Sequence, residues 1–378
     1  MIYILYSGDY EVFLGGNYRP ESEILLEPTR LALDTFESIS VPVTLFADLL
    51  CLWRYRELGF GEFPDQVDDQ LRQVVRRGHD VQMHIHPHWP KTDIERREDG
   101  STHYHVDSVW IYPGPHIPDI YKFMLKYLME GKEYLNHLLK EVSSDYQCVA
   151  YRAGAYGIVP GEKEILAALE DAGYLIDSSV VPDYPGIDVA GTPMVSFKNV
   201  PKRGNYWLSQ KWGLTRPADE GVFEIPVAAA VLHDIIPLLR LKLKSLNRQL
   251  FPKPKPHVNL GYTLHESFRR NQPEPKRDMK SWIKRMITRG LSQSHWRMMD
   301  LIDDTQVMLD LTHNYIRKYQ DESKVLFFSV SFHPKDFVAS KRDALLKYHR
   351  KLKQLYGDGI RAITFREASN LIPPPPRV

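Results

Sequence analysis

The segment GHDVQMHIHPHW, residues 78–89, sets His84 and His88 four positions apart, with His86 between them. Two imidazoles at this spacing can share one metal ion. A helix is not needed for that, because His84 falls at the end of a predicted strand and Pro87 can start a tight turn that brings His88 alongside. The spacing by itself weighs evenly between a metal pair and a polar strand end with exposed imidazoles, since the chain holds 15 histidines and some will cluster by chance. Two carboxylates add weight. Asp9 and Glu11 lie two apart in YSGDYE, so in extended chain they share a face. One could complete a two-histidine, one-carboxylate metal site, and the other could take a proton from the attacking water. Taken singly, each reads as part of a solvated loop.

The elements that must hold these residues alternate between strand and helix. Ile2 to Leu5 is a short apolar, β-prone run that leads into Asp9 and Glu11. A helical pattern from about Glu21 to Ser38 precedes a second strand over Val41 to Phe46, and a polar helix over about Asp65 to Arg77 stops at Gly78. Val81, Met83 and Ile85 then alternate with Gln82, His84 and His86, which is strand period. Further strands are predicted at Gln147–Tyr151, Val222–Val227, Val325–Ser331 and Ile360–Phe365, and helices at Glu162–Ala172 and within Met299–Tyr319. Repeated strand–helix units predict a parallel sheet with helices outside, the α/β class. Two stretches interrupt the pattern: a polar, Pro- and Gly-punctuated excursion at about 90–118, and a strongly basic stretch at about 238–290.

Bulk properties exclude several classes. A chain of 378 residues can form one large α/β domain or two smaller ones. Hydrophobic residues at 43% and charged residues at 26% are ordinary for a soluble globular protein. A formal net charge of +1 gives no argument for nucleic acid as a partner. Two cysteines, Cys51 and Cys148, cannot build a zinc ribbon or a disulfide scaffold, and they read as buried reduced thiols. MIYILYSGDY lacks the features of a signal peptide, and no run of about 18 apolar residues follows. The expected location is therefore cytoplasmic.

In the order of its motifs the chain resembles the polysaccharide deacetylase family, the NodB-type carbohydrate esterases. The motifs are YSGDYE, the strand end VPVTLFAD, GHDVQMHIHPH, YRAGAYG and the late SVSFHP, and they run from Tyr6 to Pro334. The resemblance implies an irregular (β/α) barrel of about seven strands, one catalytic domain over 1–378 with insertions at about 90–118 and 238–290. It implies a metal-dependent hydrolase that removes an N-acyl group, such as N-acetyl, from a sugar or polysaccharide, in the setting of surface-polysaccharide assembly. The implied cofactor is a divalent metal, zinc or a similar ion, held by His84, His88 and Glu11. Asp9 is then the general base, although on sequence the roles of Asp9 and Glu11 can be exchanged. Arg152 would orient the base, His333 would protonate the leaving amine, and Tyr156 would contact substrate, with backbone N–H groups near Ala155 and Tyr156 facing the oxyanion. Two positions depart from the family's pattern: Gly8-Asp9-Tyr10-Glu11 replaces adjacent aspartates, and Gly154 stands where proline is usual.

Other residues read more plainly. Glu224 in FEIPV is expected at a strand edge, and His79, His86, His103 and His105 in loops. Trp89, Trp110 and Tyr112 could stack on a sugar but more simply pack locally. Rival functions are a glycosidase built on paired carboxylates, a non-catalytic carbohydrate-binding relative that has lost a ligand or base, and a relative that hydrolyses a formyl or ureide amide. In the basic stretch, Ile235, Leu239, Leu243, Leu246 and Leu250 recur at helical spacing among Arg240, Lys242, Lys244 and Arg248. The plain reading is a helix packed on the barrel with its lysines in water. The alternative is peripheral membrane contact through 238–250. Co-sedimentation with anionic liposomes at low salt separates the two: a membrane helix carries the protein into the pellet, and protein left in solution excludes that role.

Overall fold

Short apolar runs bounded by glycines and polar turns form the strands of one parallel sheet. The computed structural model describes residues 1–184, 188–189, 192–193, 195–232, 295–321 and 325–375. The main strands are β1 Ile2–Tyr10, β2 Thr44–Asp48, β3 Asp80–Ile85, β4 Ala150–Ala153, β5 Ile176–Asp177, β6 Val222–Glu224 and β7 Leu326–Phe332. They pair in parallel in the order β6-β5-β4-β3-β2-β1-β7. The chain just past β6 closes the ring. Val227 bridges Ser329 of β7 in parallel, and the Ala228 N–H donates to the Ser329 carbonyl at 3.1 Å. The fold is α/β, an irregular seven-stranded (β/α) barrel, as the motif order implies.

Helices α1 Glu27–Ser38, α2 Leu49–Glu57, α3 Glu62–Arg76, α4 Ile120–Lys140, α5 Glu162–Asp171, α6 Thr305–Tyr319 and α7 Ala339–Tyr356 accompany the strands. Helix α3 shows the local logic. Phe63, Val67, Leu71 and Val74 bury one face, Glu62 and Asp65 complement the positive N-terminal end, and Gly78 leaves the helix at φ +81, a left-handed conformation that costs glycine little.

Strand period divides the barrel interior into layers. Leu5, Phe46, Ala150, Ile176, Phe223 and Phe327 form an apolar plug. Two residues further along the strands come Ser7, Asp48, Arg152 and Ser329, all buried. Because the strands are parallel, their C-terminal ends share one mouth, which is where barrel enzymes carry their chemistry.

The excursion at about 90–118 carries a hairpin, Asp93–Arg96 with Thr102–His105, joined by Gly16–Asn17 into a three-stranded sheet. Buried polar contacts dock it: Tyr55 and Thr102 donate to Glu21 Oε1 at 2.7 and 2.8 Å, and Asn17 donates to the Tyr104 hydroxyl at 2.7 Å. The basic stretch 238–290, and with it the 238–250 segment for which membrane contact is the alternative reading, lies outside the described residues. Among the described residues no helix is long and apolar enough to cross a membrane. Cys51 and Cys148 are buried free thiols, as expected.

Glu224 is not at an exposed strand edge. It pairs in register with Asp177, and both are 0% exposed. Its Oε1 accepts from the Val180 N–H at 3.2 Å, while Glu224 Oε2 and Asp177 Oδ2 have no hydrogen-bond partner. Burial, and then the Asp177 charge, push the Glu224 carboxyl well above the usual range. A raised carboxyl stabilises the fold when protonated, so that contribution is lost as pH rises from about 4.3 through the folded-state value. Glu224→Gln stays neutral and can donate to Asp177. Its melting temperature relative to wild type is expected to climb as pH rises above about 5, and parallel pH profiles would contradict this account.

Candidate active site

Ser7, Asp9 and Glu11 are two apart along β1 and its continuation, so they line the interior together. Opposite them Arg152 alternates with Ala150 of the plug, and its guanidinium sits 4.2 Å above the Phe46 ring. Arg152 is 0% exposed, so its donors must find acceptors. Nη1 donates to Asp9 Oδ1 at 2.6 Å, Nη2 to Ser7 Oγ at 2.8 Å and Ser178 Oγ at 3.2 Å, and Nε to the Ser178 carbonyl at 3.1 Å. Burial raises the Asp9 carboxyl, but Arg152, His84 and His333 together bring it below the usual range. Asp9 is thus stabilised as an anion, with Oδ1 paired to the Arg152 guanidinium.

Glu11, His84 and His86 bring one ligand atom each to within 4.8 Å of one another, the group among the described residues able to hold a metal ion. Glu11 Oε2 lies 3.3 Å from His84 Nε2 and 3.1 Å from His86 Nε2. The far side of each ring is anchored. His84 Nδ1 is 2.8 Å from the Arg152 carbonyl, which can only accept, so Nδ1 carries the proton. His86 Nδ1 is 3.0 Å from Asp48 Oδ2. With Nδ1 so held, each ring turns its Nε2 toward the same Glu11 oxygen. Burial opposes charge on His86, but Glu11 and Asp48 outweigh it and raise its pKa to about 8. The site calls for a positive charge. A divalent ion fits the donor set, since tetrahedral bonds of about 2.0–2.1 Å separate ligand atoms by about 3.3 Å, close to the spacing seen here.

Two further side chains, Lys335 and His333, border the site. Lys335 Nζ donates to Glu11 Oε1 at 2.7 Å and to the Val12 carbonyl at 2.9 Å. His333 Nε2 lies 3.4 Å from Glu11 Oε1 and 3.9 Å from Asp9 Oδ2, and its side chain is 30% exposed, open to an incoming group. After burial, Lys335 and His86 hold the Glu11 carboxyl well below its usual range. Tyr156 joins from the turn after β4, where Ala155 and Tyr156 stand at φ 49 and 57, a conformation non-glycine residues hold only under strain. Its hydroxyl is raised by burial and then by the Asp9 charge.

The structure therefore gathers Asp9, Glu11, His84, Arg152 and His333. His88 lies outside the metal triad: its Nδ1 is 3.1 Å from Thr92 Oγ1, and its ring packs 4.7 Å from Trp89. The reason is geometric. The alternation seen in β3 carries on to His86, which shares a face with His84, whereas the turn after Pro87 runs into the short helix Trp89–Lys91. His86, expected in a loop, takes the place next to Glu11, and Asp48, the last residue of VPVTLFAD, joins the site with Trp89 and Lys335, none of them expected among the metal-site residues. The alternation of Gln82, His84 and His86 was the available signal for His86. Lys335, two after His333, carries none.

No family model and no curated protein matches the chain. Among solved structures, a Mycobacterium smegmatis protein provisionally described as a polysaccharide deacetylase is 13% identical, with 98% of this chain and 90% of that chain covered, at a TM-score of 0.43. Puue allantoinase is 11% identical, covering 98% and 89%, at 0.43. The 4-alpha-glucanotransferase of Thermococcus litoralis is 12% identical, covering 98% of this chain and 38% of that one, at 0.42.

Arg152→Met would leave the buried Asp9 carboxylate unpaired, a loss of about 3–5 kcal/mol. Denaturant unfolding is expected to show that loss, with Asp9→Asn in the same chain restoring part of it. Additive losses would contradict the coupling.

Proposed function

We propose that this protein is a metal-dependent amide hydrolase that removes an N-acyl group, N-acetyl in the first instance, from a sugar or polysaccharide, with 1–378 acting as one catalytic domain. The observation that carries this reading is the meeting of two anchored imidazoles and Glu11 beside an ionised Asp9–Arg152 pair at the barrel mouth. A divalent metal such as zinc, held by Glu11, His84 and His86, would supply Lewis-acid polarisation of the amide carbonyl and make nearby water more acidic.

The protein's own groups account for the proton movements. Asp9 Oδ2, free of the guanidinium, accepts a proton from the attacking water. Arg152 holds Asp9 in place and keeps it anionic. His333, partly open and across from Asp9, gives a proton to the departing amine. Tyr156, at the rim of the base, lines the side where substrate would sit. The motif order from YSGDYE to SVSFHP supports a sugar amide as the substrate class. The glycosidase alternative needs one carboxyl held protonated. Asp9 and Glu11, the pair of carboxylates two apart on one face, are instead both held below their usual range.

Acetate release from a panel of acetamido sugars tests the proposal, with protein before and after chelation. Activity lost on chelation and restored by zinc is expected. His333→Ala is expected to lower turnover by about 10²-fold or more, and Asp9→Asn to abolish it. Hydrolysis of a formyl or ureide amide with no sugar turned over would move the substrate class. Activity untouched by chelation would overturn the metal-dependent reading.

A further inference from the structure

We infer that Gly154 and Asp48 select His86 as a metal ligand in this chain, in place of the His88 expected from the H-x-x-x-H spacing. The inference rests on the metal-dependent reading above and concerns which imidazole completes the site.

Gly154 follows β4 directly, at the top of the strand that also carries Arg152. A Cβ added there would lie 2.4 Å from His86 Cδ2, 2.5 Å from His86 Cγ and 2.7 Å from the Ile85 carbonyl oxygen. The clash falls on the base of the ring and on backbone, so turning the imidazole does not relieve it. Any side chain at 154, alanine included, must push His86 from its place. The absent Cβ is the space that His86 fills.

Asp48 supplies the direction. It stands at the end of β2, 4% exposed, and its Oδ2 meets both His86 Nδ1 at 3.0 Å and the Trp89 Nε1–H at 2.6 Å. The indole is itself buried, so the carboxylate cannot swing away. With Nδ1 held by Asp48, the ring turns its Nε2 to the point where Glu11 Oε2 and His84 converge, and a metal bound there would take the place of the Nε2 proton. Outer partners of this kind fix the tautomer of metal-ligating histidines. His88 has no charged anchor of this sort: Thr92 Oγ1 donates to the His88 carbonyl at 3.0 Å, which leaves that oxygen to accept from Nδ1. Strands β2, β3 and β4 thus contribute an anchor, a ligand pair and a gap, and only His86 satisfies all three.

The test is zinc content and affinity, read by chelator competition, and the absorption spectrum of the cobalt-loaded protein. It uses the full chain and the variants His86→Ala, His88→Ala, Asp48→Asn, Gly154→Ala and the His86→Ala/Gly154→Ala double. The expected results are loss of stoichiometric metal in His86→Ala and retention in His88→Ala. Asp48→Asn is expected to weaken zinc by about 10–100-fold with a changed cobalt spectrum. Gly154→Ala should weaken zinc by about tenfold or more and add nothing further in the His86→Ala background, the mark of two positions acting through one contact. Metal lost in His88→Ala but kept in His86→Ala overturns the inference, as does a folded Gly154→Ala with wild-type affinity. Should Gly154→Ala fail to fold by circular dichroism, the two histidine variants and Asp48→Asn still decide. Wild-type protein that takes up no metal would sink the functional reading instead, a distinct result.

Discussion

A guanidinium with no access to water sits at the centre of this barrel, and the arrangement around it follows from the need to satisfy it. Arg152 is fully buried, so each unpaired donor would cost on the order of 1–3 kcal/mol. Its side chain reaches across the interior from β4 to Ser7 and Asp9 of β1 and to Ser178 beyond β5. Its own carbonyl meanwhile receives His84 Nδ1 from β3. One residue thus orients the candidate base and fixes the tautomer of a candidate ligand. The Phe46 ring beneath it closes the apolar plug, so the polar layer rests on a dry floor where charge interactions are weakly screened.

Above that layer several titratable groups converge on Glu11. Two imidazoles, each anchored through Nδ1, aim at one Glu11 oxygen, while Lys335 occupies the other. Asp9 and Glu11 are held as anions by their neighbours, Asp9 by Arg152 and Glu11 by Lys335 and His86. Perturbed groups of this kind cluster at functional sites. The positive φ at Ala155 and Tyr156 belongs to the same pattern, since local strain persists only where the surrounding structure holds it in place.

Much of this was legible in the residues. Strand period placed Asp9 and Glu11 on one face, the alternation of short apolar runs with helical patterns gave a parallel sheet, and the resemblance in motif order implied that it closes into a barrel. Arg152 and His333 could be assigned roles from motif order because each stands at the C-terminal end of a strand. The failures have physical causes. His88 was favoured over His86 by a four-residue spacing that a turn could have honoured, but the pleat carried on and kept His84 and His86 together. The choice between them hangs on a missing Cβ at position 154 and on a carboxylate from β2, contacts between strands distant in sequence. Glu224 read as a strand-edge residue because one strand's pattern does not show that its neighbour sets Asp177 beside it.

The central claim is that Glu11, His84 and His86 hold a single divalent ion at the barrel mouth. Diffraction from crystals of zinc-loaded protein, with data on both sides of the zinc absorption edge, tests it most directly. The account predicts one anomalous peak at about 2.0–2.2 Å from His84 Nε2, His86 Nε2 and a Glu11 oxygen. A peak bound through His88 in place of His86, or no peak near Glu11, would contradict it.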